Sequence, residues 1–130
     1  MIVDTSALLA VLIGDDDAHL YERAMTQSVP LRMSAGSWIE FTAVLVRRFP
    51  ELSGDQPERL ISEFGIVIMP VTIEQAQIGR AAYRVYGRGT MHRAALNFGD
   101  CFAYALAKAT GEPLLFKGND FTQTDIVPAL

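Results

Sequence analysis

Met1-Ile2-Val3-Asp4-Thr5-Ser6-Ala7-Leu8-Leu9-Ala10-Val11-Leu12-Ile13-Gly14 opens the chain, and its reading decides the fold. A few apolar residues ending on an acid read as a short buried strand. Thr5 or Ser6 can then cap the apolar helical run 7–13, which Gly14 stops. A strand that turns at once into a helix is the first half of a βαβ unit, so the sheet it belongs to should be largely parallel.

The rest of the chain repeats this alternation. Asp15-Asp16-Asp17 favours the positive end of a second helix running to about Gln27. Residues 28–34 read as a second strand with Pro30 at its start. A helix from 34 or 35 to 49 follows and is ended by Pro50. Another begins near Pro57, tolerated in a first turn, and closes at Gly65. Ile66-Val67-Ile68-Met69-Pro70-Val71 is the clearest strand, continuous and β-branched, and reads as buried on both faces. Thr72 and Gln75 form a capping-box pattern that opens a helix to about Gly87. A polar loop precedes a helix over 99–110, and Gly111-Glu112-Pro113 turns the chain into the strand Leu114-Leu115-Phe116. Strands alternating with helices define an α/β sandwich of one domain, residues 1–130.

Composition agrees. Half the residues are apolar and 20% are charged, a profile for a soluble globular domain rather than a disordered one. The apolar runs fall far short of the roughly 20 residues that span a bilayer. No basic, apolar leader opens the chain, and the single cysteine, Cys101, suits a reducing compartment, so a cytoplasmic protein is expected. The net charge of −4 argues against binding nucleic acid by charge alone. Its distribution permits one basic surface: no acid lies between Glu74 and Asp100, while Arg80, Arg84, Arg88, His92 and Arg93 do. Arg80, Arg84 and Arg88 recur every four residues and would share a helix face, either tracking a phosphate backbone or simply solvated.

Four acids hold the chemistry. Ligands of open parallel sheets bind beyond the carboxyl ends of the strands. Asp4 sits at one such end and Asp120 just past another. Each has an ordinary alternative as a helix cap. Glu40 lies inside Trp38-Ile39-Glu40-Phe41-Thr42-Ala43-Val44-Leu45-Val46, a helix apolar nearly all round, where a lone carboxylate needs a partner or a metal. Its alternative is an ion pair with Arg47 or an exit to solvent. Asp100 opens a helix that is almost wholly apolar. It can form a reciprocal cap with Asn97, but capping gives no reason for the Gly99 beside it. Such carboxylates suit Mg²⁺, a hard cation that prefers oxygen. Other chemistries are poorly supplied. His19 and His92 do not form a zinc pair, Cys101 has no activating base, Gly87-Arg88-Gly89 is not a phosphate loop, and no serine elbow is present.

These residues resemble a known family. Ile2-Val3-Asp4-Thr5-Ser6-Ala7-Leu8, the mid-helix Glu40, Leu96-Asn97-Phe98-Gly99-Asp100-Cys101, and Leu114-Leu115-Phe116-Lys117-Gly118-Asn119-Asp120-Phe121 are similar in order and spacing to PIN-domain proteins of the VapC branch, toxins of bacterial toxin–antitoxin pairs. The resemblance spans the chain. It implies a PIN-like three-layer α/β/α sandwich and an RNA endonuclease that depends on Mg²⁺ or Mn²⁺. Asp4 and Asp100 would be the principal metal ligands, Glu40 would complete that site, and Asp120 would support a second ion or its water shell. Asp125 is an alternative fourth acid. Thr5 or Ser6 could orient a carboxylate or the phosphate. The partners implied are an RNA substrate, a cognate antitoxin and a second copy of the chain. Trp38, Phe41 and Leu45 would lie in the core or line a groove for an antitoxin helix.

Three rivals remain at this level. A phosphoacceptor receiver domain would want adjacent acids after the first strand, where Thr5-Ser6 stands. A non-catalytic binding module of the same fold would lose the acids, and a PIN nuclease of RNA processing would differ mainly in size and appended domains.

Overall fold

The computed structural model describes all 130 residues, Met1–Leu130. Four short strands, β1 (Ile2–Val3), β2 (Leu31–Ser34), β3 (Ile66–Met69) and β4 (Leu114–Leu115), form one sheet in the order β3-β2-β1-β4, every pair parallel. The helices are α1 (Thr5–Ile13), α2 (Ala18–Gln27), α3 (Ala35–Arg48), α4 (Gln56–Glu63), α5 (Ile73–Tyr86) and α6 (Asp100–Thr110), with a 3₁₀ turn at Pro50–Leu52. None is long and apolar enough to cross a membrane.

Successive strand residues point to opposite faces of a sheet. Val3, Leu31, Met33, Ile66 and Leu115 therefore face one core, completed by Leu8 of α1, Met25 of α2, Phe41 and Leu45 of α3 and Leu60 of α4. Ile2 and Leu114 face the other, under Ala82 of α5 and Ala103, Leu106 and Ala107 of α6. Two cores, one on each face, make the expected three-layer α/β/α sandwich. The chain builds outward from β1 through β2 to β3, then returns to place β4 on the other side of β1. That reversal opens a crevice beyond the carboxyl ends of β1 and β4.

Local signals explain most element ends. Gly14 and Gly111 stop α1 and α6 in the left-handed conformation that glycine adopts without penalty. Thr72 Oγ1 accepts from Gln75 N, as the capping pattern predicts. Some expectations change. The second strand begins at Leu31, after a cis Val29–Pro30 bond. β3 is an edge strand: Ile66 is buried, but Val67 is 52% exposed and Ile68 and Met69 are half-buried. A continuous apolar run cannot tell a central strand from an edge strand whose outer face lies open. α3 is likewise not sheathed all round, since Ile39 and Val46 are exposed while Phe41 and Leu45 are fully buried. α5 ends at Tyr86, so Arg88 lies in the following loop rather than on a face shared with Arg80 and Arg84.

Candidate active site

Asp4 leaves the end of β1 and caps α1 itself. Its Oδ2 accepts from the backbone N–H of Ser6 at 2.9 Å and from the Ser6 hydroxyl at 2.6 Å. Ser6 Oγ in turn accepts from the Lys117 N–H at 2.9 Å, which ties the loop after β4 to the first turn of α1. The other oxygen, Oδ1, is buried without a hydrogen-bond partner. Capping and a functional role were rival readings of this residue in the sequence; the two oxygens divide them, one used by the cap and one free.

Asp100 is arranged in the same way at the start of α6. Its Oδ2 accepts from Asn97 N at 2.7 Å, and its own N–H donates to Asn97 Oδ1 at 2.9 Å, the reciprocal cap that the sequence allows. Glu40 enters from α3. Its Oε2 accepts from Thr5 Oγ1 at 2.9 Å, and no ion pair with Arg47 forms. Thr5 Oγ1 is also 3.2 Å from Ser37 O, so its single proton serves one acceptor at a time. Gly99 now has its reason. A Cβ there would fall 1.9 Å from Glu40 Oε1 and 2.1 Å from Cδ, so only glycine lets this carboxylate lie against the start of α6. Asp120, from the loop after β4, completes the group.

The four acids line one cleft of about 180 Å³ with Thr5, Ser6, Asn97 and Lys117. Asp125 does not join them. It accepts from Tyr104 Oη at 2.7 Å and Lys108 Nζ at 2.9 Å, beside α6. The Asp125 carboxyl is held below its usual range mainly by Lys108, then by the tyrosine hydroxyl.

The cleft is electrostatically frustrated. Burial raises the Asp4 carboxyl above its ordinary value, which the Ser6 donors only partly offset, and the charge of Asp120 adds to the rise. Burial pushes Asp100 up to about 7, reinforced by the charges of Asp4, Asp120 and Glu40. Glu40 is raised by burial and by Asp4, against the pull of Thr5 and Arg47. Like charges crowded in a dry site disfavour ionisation.

No group of three acidic, histidine or cysteine side chains is placed to hold a cation by itself. The donors still fit a hard divalent ion. They are all oxygen, they carry excess negative charge, and Asp4 Oδ1 is a buried acceptor without a donor. Magnesium needs only one or two carboxylates, with water and substrate phosphate filling the rest.

Two cations at the rim were not picked out from the sequence. Arg48 reaches the cleft from the last turn of α3. Lys117 lies between Asp15 and Asp17, with Nζ at 2.8 and 2.5 Å. The triplet Asp15-Asp16-Asp17 was a visible charge cluster, but nothing local points to a partner about a hundred residues away. Burial, then Asp100, raises the Cys101 thiol to about 11, which favours the thiol over the reactive thiolate. His92 sits edge-on to Tyr86 and accepts from Ala94 N, outside the cleft.

A four-acid cleft at the switch point of a parallel α/β/α sandwich is the ground plan of a known class. The PIN domain family model matches residues 1–127, and the chain belongs to that family. Its relatives narrow the branch to VapC. Ribonuclease VapC42 of Mycobacterium tuberculosis is 48% identical over 130 positions, covering 99% of this chain and 98% of that protein. Ribonuclease VapC of Mycolicibacterium smegmatis is 44% identical over 126 positions, covering 97% of each. The crystal structure of Mycobacterium tuberculosis VapC20, described as a sarcin–ricin loop cleaving toxin, superposes with a TM-score of 0.74 at 17% identity, over 97% of this chain and 95% of that one. At that identity the likeness concerns the fold.

Proposed function

We propose that this chain is an endoribonuclease toxin that depends on Mg²⁺ or Mn²⁺, acts on cytoplasmic RNA as a homodimer, and is held in check by a cognate antitoxin. The observation that carries the reading is the buried, unpartnered Asp4 Oδ1 inside a cleft shared with Asp100, Glu40 and Asp120. A buried, unpartnered carboxylate oxygen beside other acids is the kind of arrangement that a bound cation relieves. The ribonuclease names of relatives at 44–48% identity over nearly the whole chain supply the substrate class.

In this reading Asp4 and Asp100 would hold the ion, with Glu40 and Asp120 beside it. When bound, the cation eases deprotonation of the attacking water and offsets charge gathering on the phosphate. The chain's own groups do the rest. Ser6 and Asn97 each fix one oxygen of Asp4 and Asp100, leaving the other oxygen free for the ion. Thr5 holds Glu40 against Gly99, so the third carboxylate is preset rather than gathered when substrate arrives. Water's oxygen bonds to phosphorus as the P–O ester bond breaks, and the leaving oxygen takes up a proton. Arg48 at the rim attracts the flanking phosphates that the acids alone would repel.

Purified protein incubated with total RNA, with and without EDTA, tests the proposal. Cleavage should stop on chelation and return with Mg²⁺ or Mn²⁺. Cleavage that survives chelation, or persists in Asp100→Asn, overturns it. Growth arrest on expression that requires Asp4, and that co-expression of the adjacent small gene relieves, separates a toxin from a processing nuclease.

A further inference from the structure

Beside the acid cleft runs a second depression, a groove of about 630 Å³ between α3 and the loop that follows α5. The two share Glu40 and Asn97, so the groove continues the cleft rather than standing apart. Its polar groups have the opposite sign. Arg47 comes from α3 and Arg88 from the loop, both exposed and neither in an ion pair. Each is anchored through Nε, Arg47 to Ala43 O at 3.1 Å and Arg88 to Ala95 O at 3.3 Å. Anchoring leaves the terminal guanidinium nitrogens directed away from the backbone and lowers the entropy lost when they grip an anion.

An aromatic ring lines the same groove. Phe98 is 75% exposed, so its ring face is open to a partner in the groove. It is also braced. Phe102 meets it edge-on at 5.1 Å between centroids, and Phe102 packs close against α3 because residue 36 is glycine; a Cβ there would fall 2.2 Å from the ring. An exposed ring and two unpaired guanidinium groups lining one groove, next to the acid cleft, match the two elements of single-strand recognition: cations for the backbone and a π face for a base.

We infer that this groove holds the single-stranded RNA arm next to the scissile phosphate, with Arg47 and Arg88 on its phosphates and a base stacked on Phe98. The inference rests on the ribonuclease reading above and adds the path of the substrate. RNA is favoured over an acidic peptide because the groove runs straight into the catalytic acids and because phosphate spanning that negative cleft needs cations immediately alongside.

The test is fluorescence anisotropy of a labelled, mixed-sequence, single-stranded oligoribonucleotide, with every variant built on Asp100→Asn so that the probe survives. Arg47→Ala with Arg88→Ala should weaken binding by about 10- to 100-fold and flatten the log–log salt slope by about 1.4, two phosphate contacts' worth. Phe98→Ala should weaken it by about 5- to 100-fold and leave the slope unchanged. Arg84→Ala, outside the groove, is the control and should bind as the parent does. All four side chains are exposed, and circular dichroism confirms folding. Parental affinity in both groove variants overturns the inference, as does an Arg84 effect equal to theirs. Intact RNA binding with lost co-purification of a co-expressed antitoxin would also overturn it and give the groove to a protein. If the unaltered protein cleaves RNA while groove variants bind normally, only the path fails. If it neither cleaves nor binds RNA, the ribonuclease reading falls as well.

Discussion

The two ends of the sheet treat charge in opposite ways. At the amino edge, the Met1 ammonium lies 2.6 Å from Glu112 Oε2 and Arg32 Nη1 lies 2.5 Å from Oε1, so one carboxylate answers two cations. Burial opposes the Glu112 charge, but the amino terminus and Arg32 more than offset it and hold the group below its usual range. At the carboxyl edge, four acids share a cleft. Its nearest ammonium, Lys117, is taken up by Asp15 and Asp17. There the carboxyls of Asp4, Glu40 and Asp100 are raised, not lowered. One end contributes to folding and the other opposes it. Charges left unbalanced inside a folded chain make that place a candidate functional site.

The sharpest way to break that contrast is to neutralise one acid of the cleft. Asp100→Asn should lower RNA cleavage by about 10³-fold or more, the scale for losing a main electrostatic group of an active site. In metal-free buffer it should also stabilise the protein. The folded carboxyl titrates near 7, well above the unfolded value, so between about pH 4 and pH 7 the native state holds a proton that the unfolded chain has released. Stability of the unaltered protein should therefore fall as pH rises through that window, by on the order of 2–4 kcal/mol, and level off above it. Melting curves across pH should flatten in the variant. A steeper fall in Asp100→Asn would contradict the account.

A smaller effect on activity is expected from Gly99→Ala. The backbone there is already helical, so alanine costs the fold little, but its Cβ takes the position of the Glu40 carboxylate. Cleavage should drop about 10- to 100-fold while the melting temperature holds, on the rule that small misplacements in a site are costly. Equal losses of activity and stability would mean that Gly99 serves packing instead.

The amino edge should behave in reverse. Glu112→Gln leaves the Met1 ammonium and Arg32 without their counter-charge and should cost about 1–3 kcal/mol by chemical denaturation. Cleavage per folded molecule should stay unchanged. A loss of activity in the folded fraction would show that the two ends are coupled through β1.

Last and least, Asp125→Asn removes an exposed pairing with Lys108 and a hydrogen bond from Tyr104. It should cost no more than about 1 kcal/mol and leave the cleavage rate alone. A rate loss like that of Asp100→Asn would make Asp125 rather than Asp120 the fourth acid.

Much of the fold was legible because its signals are local. Strand-sized apolar runs, Gly14 and Gly111 as stops, and the Thr72 cap each depend on neighbours within a turn. The acids were legible for the same reason: Asp4 and Asp120 fall at strand ends, and Asp100 opens an apolar helix. The misreadings share one cause. β3 was read as buried on both faces, Arg88 as aligned with Arg80 and Arg84 on one helix face, and α3 as apolar nearly all round, since which side of an element is covered depends on distant partners. Lys117 escaped notice because Asp15 and Asp17, its partners, come together with it only after β4 is laid beside β1.

By itself the sequence determined an α/β chain of PIN type, four candidate acids and the segments that present them. It also showed that Glu40 and Gly99 lacked a local explanation. Only the tertiary structure decided that those two explain each other, that Asp120 and not Asp125 enters the cleft, and that Asp4 keeps one oxygen free. The physical reason is that propensity and capping act over a few residues along the chain. Crowding of like charges, and the room a missing Cβ leaves, arise only between segments that folding brings together.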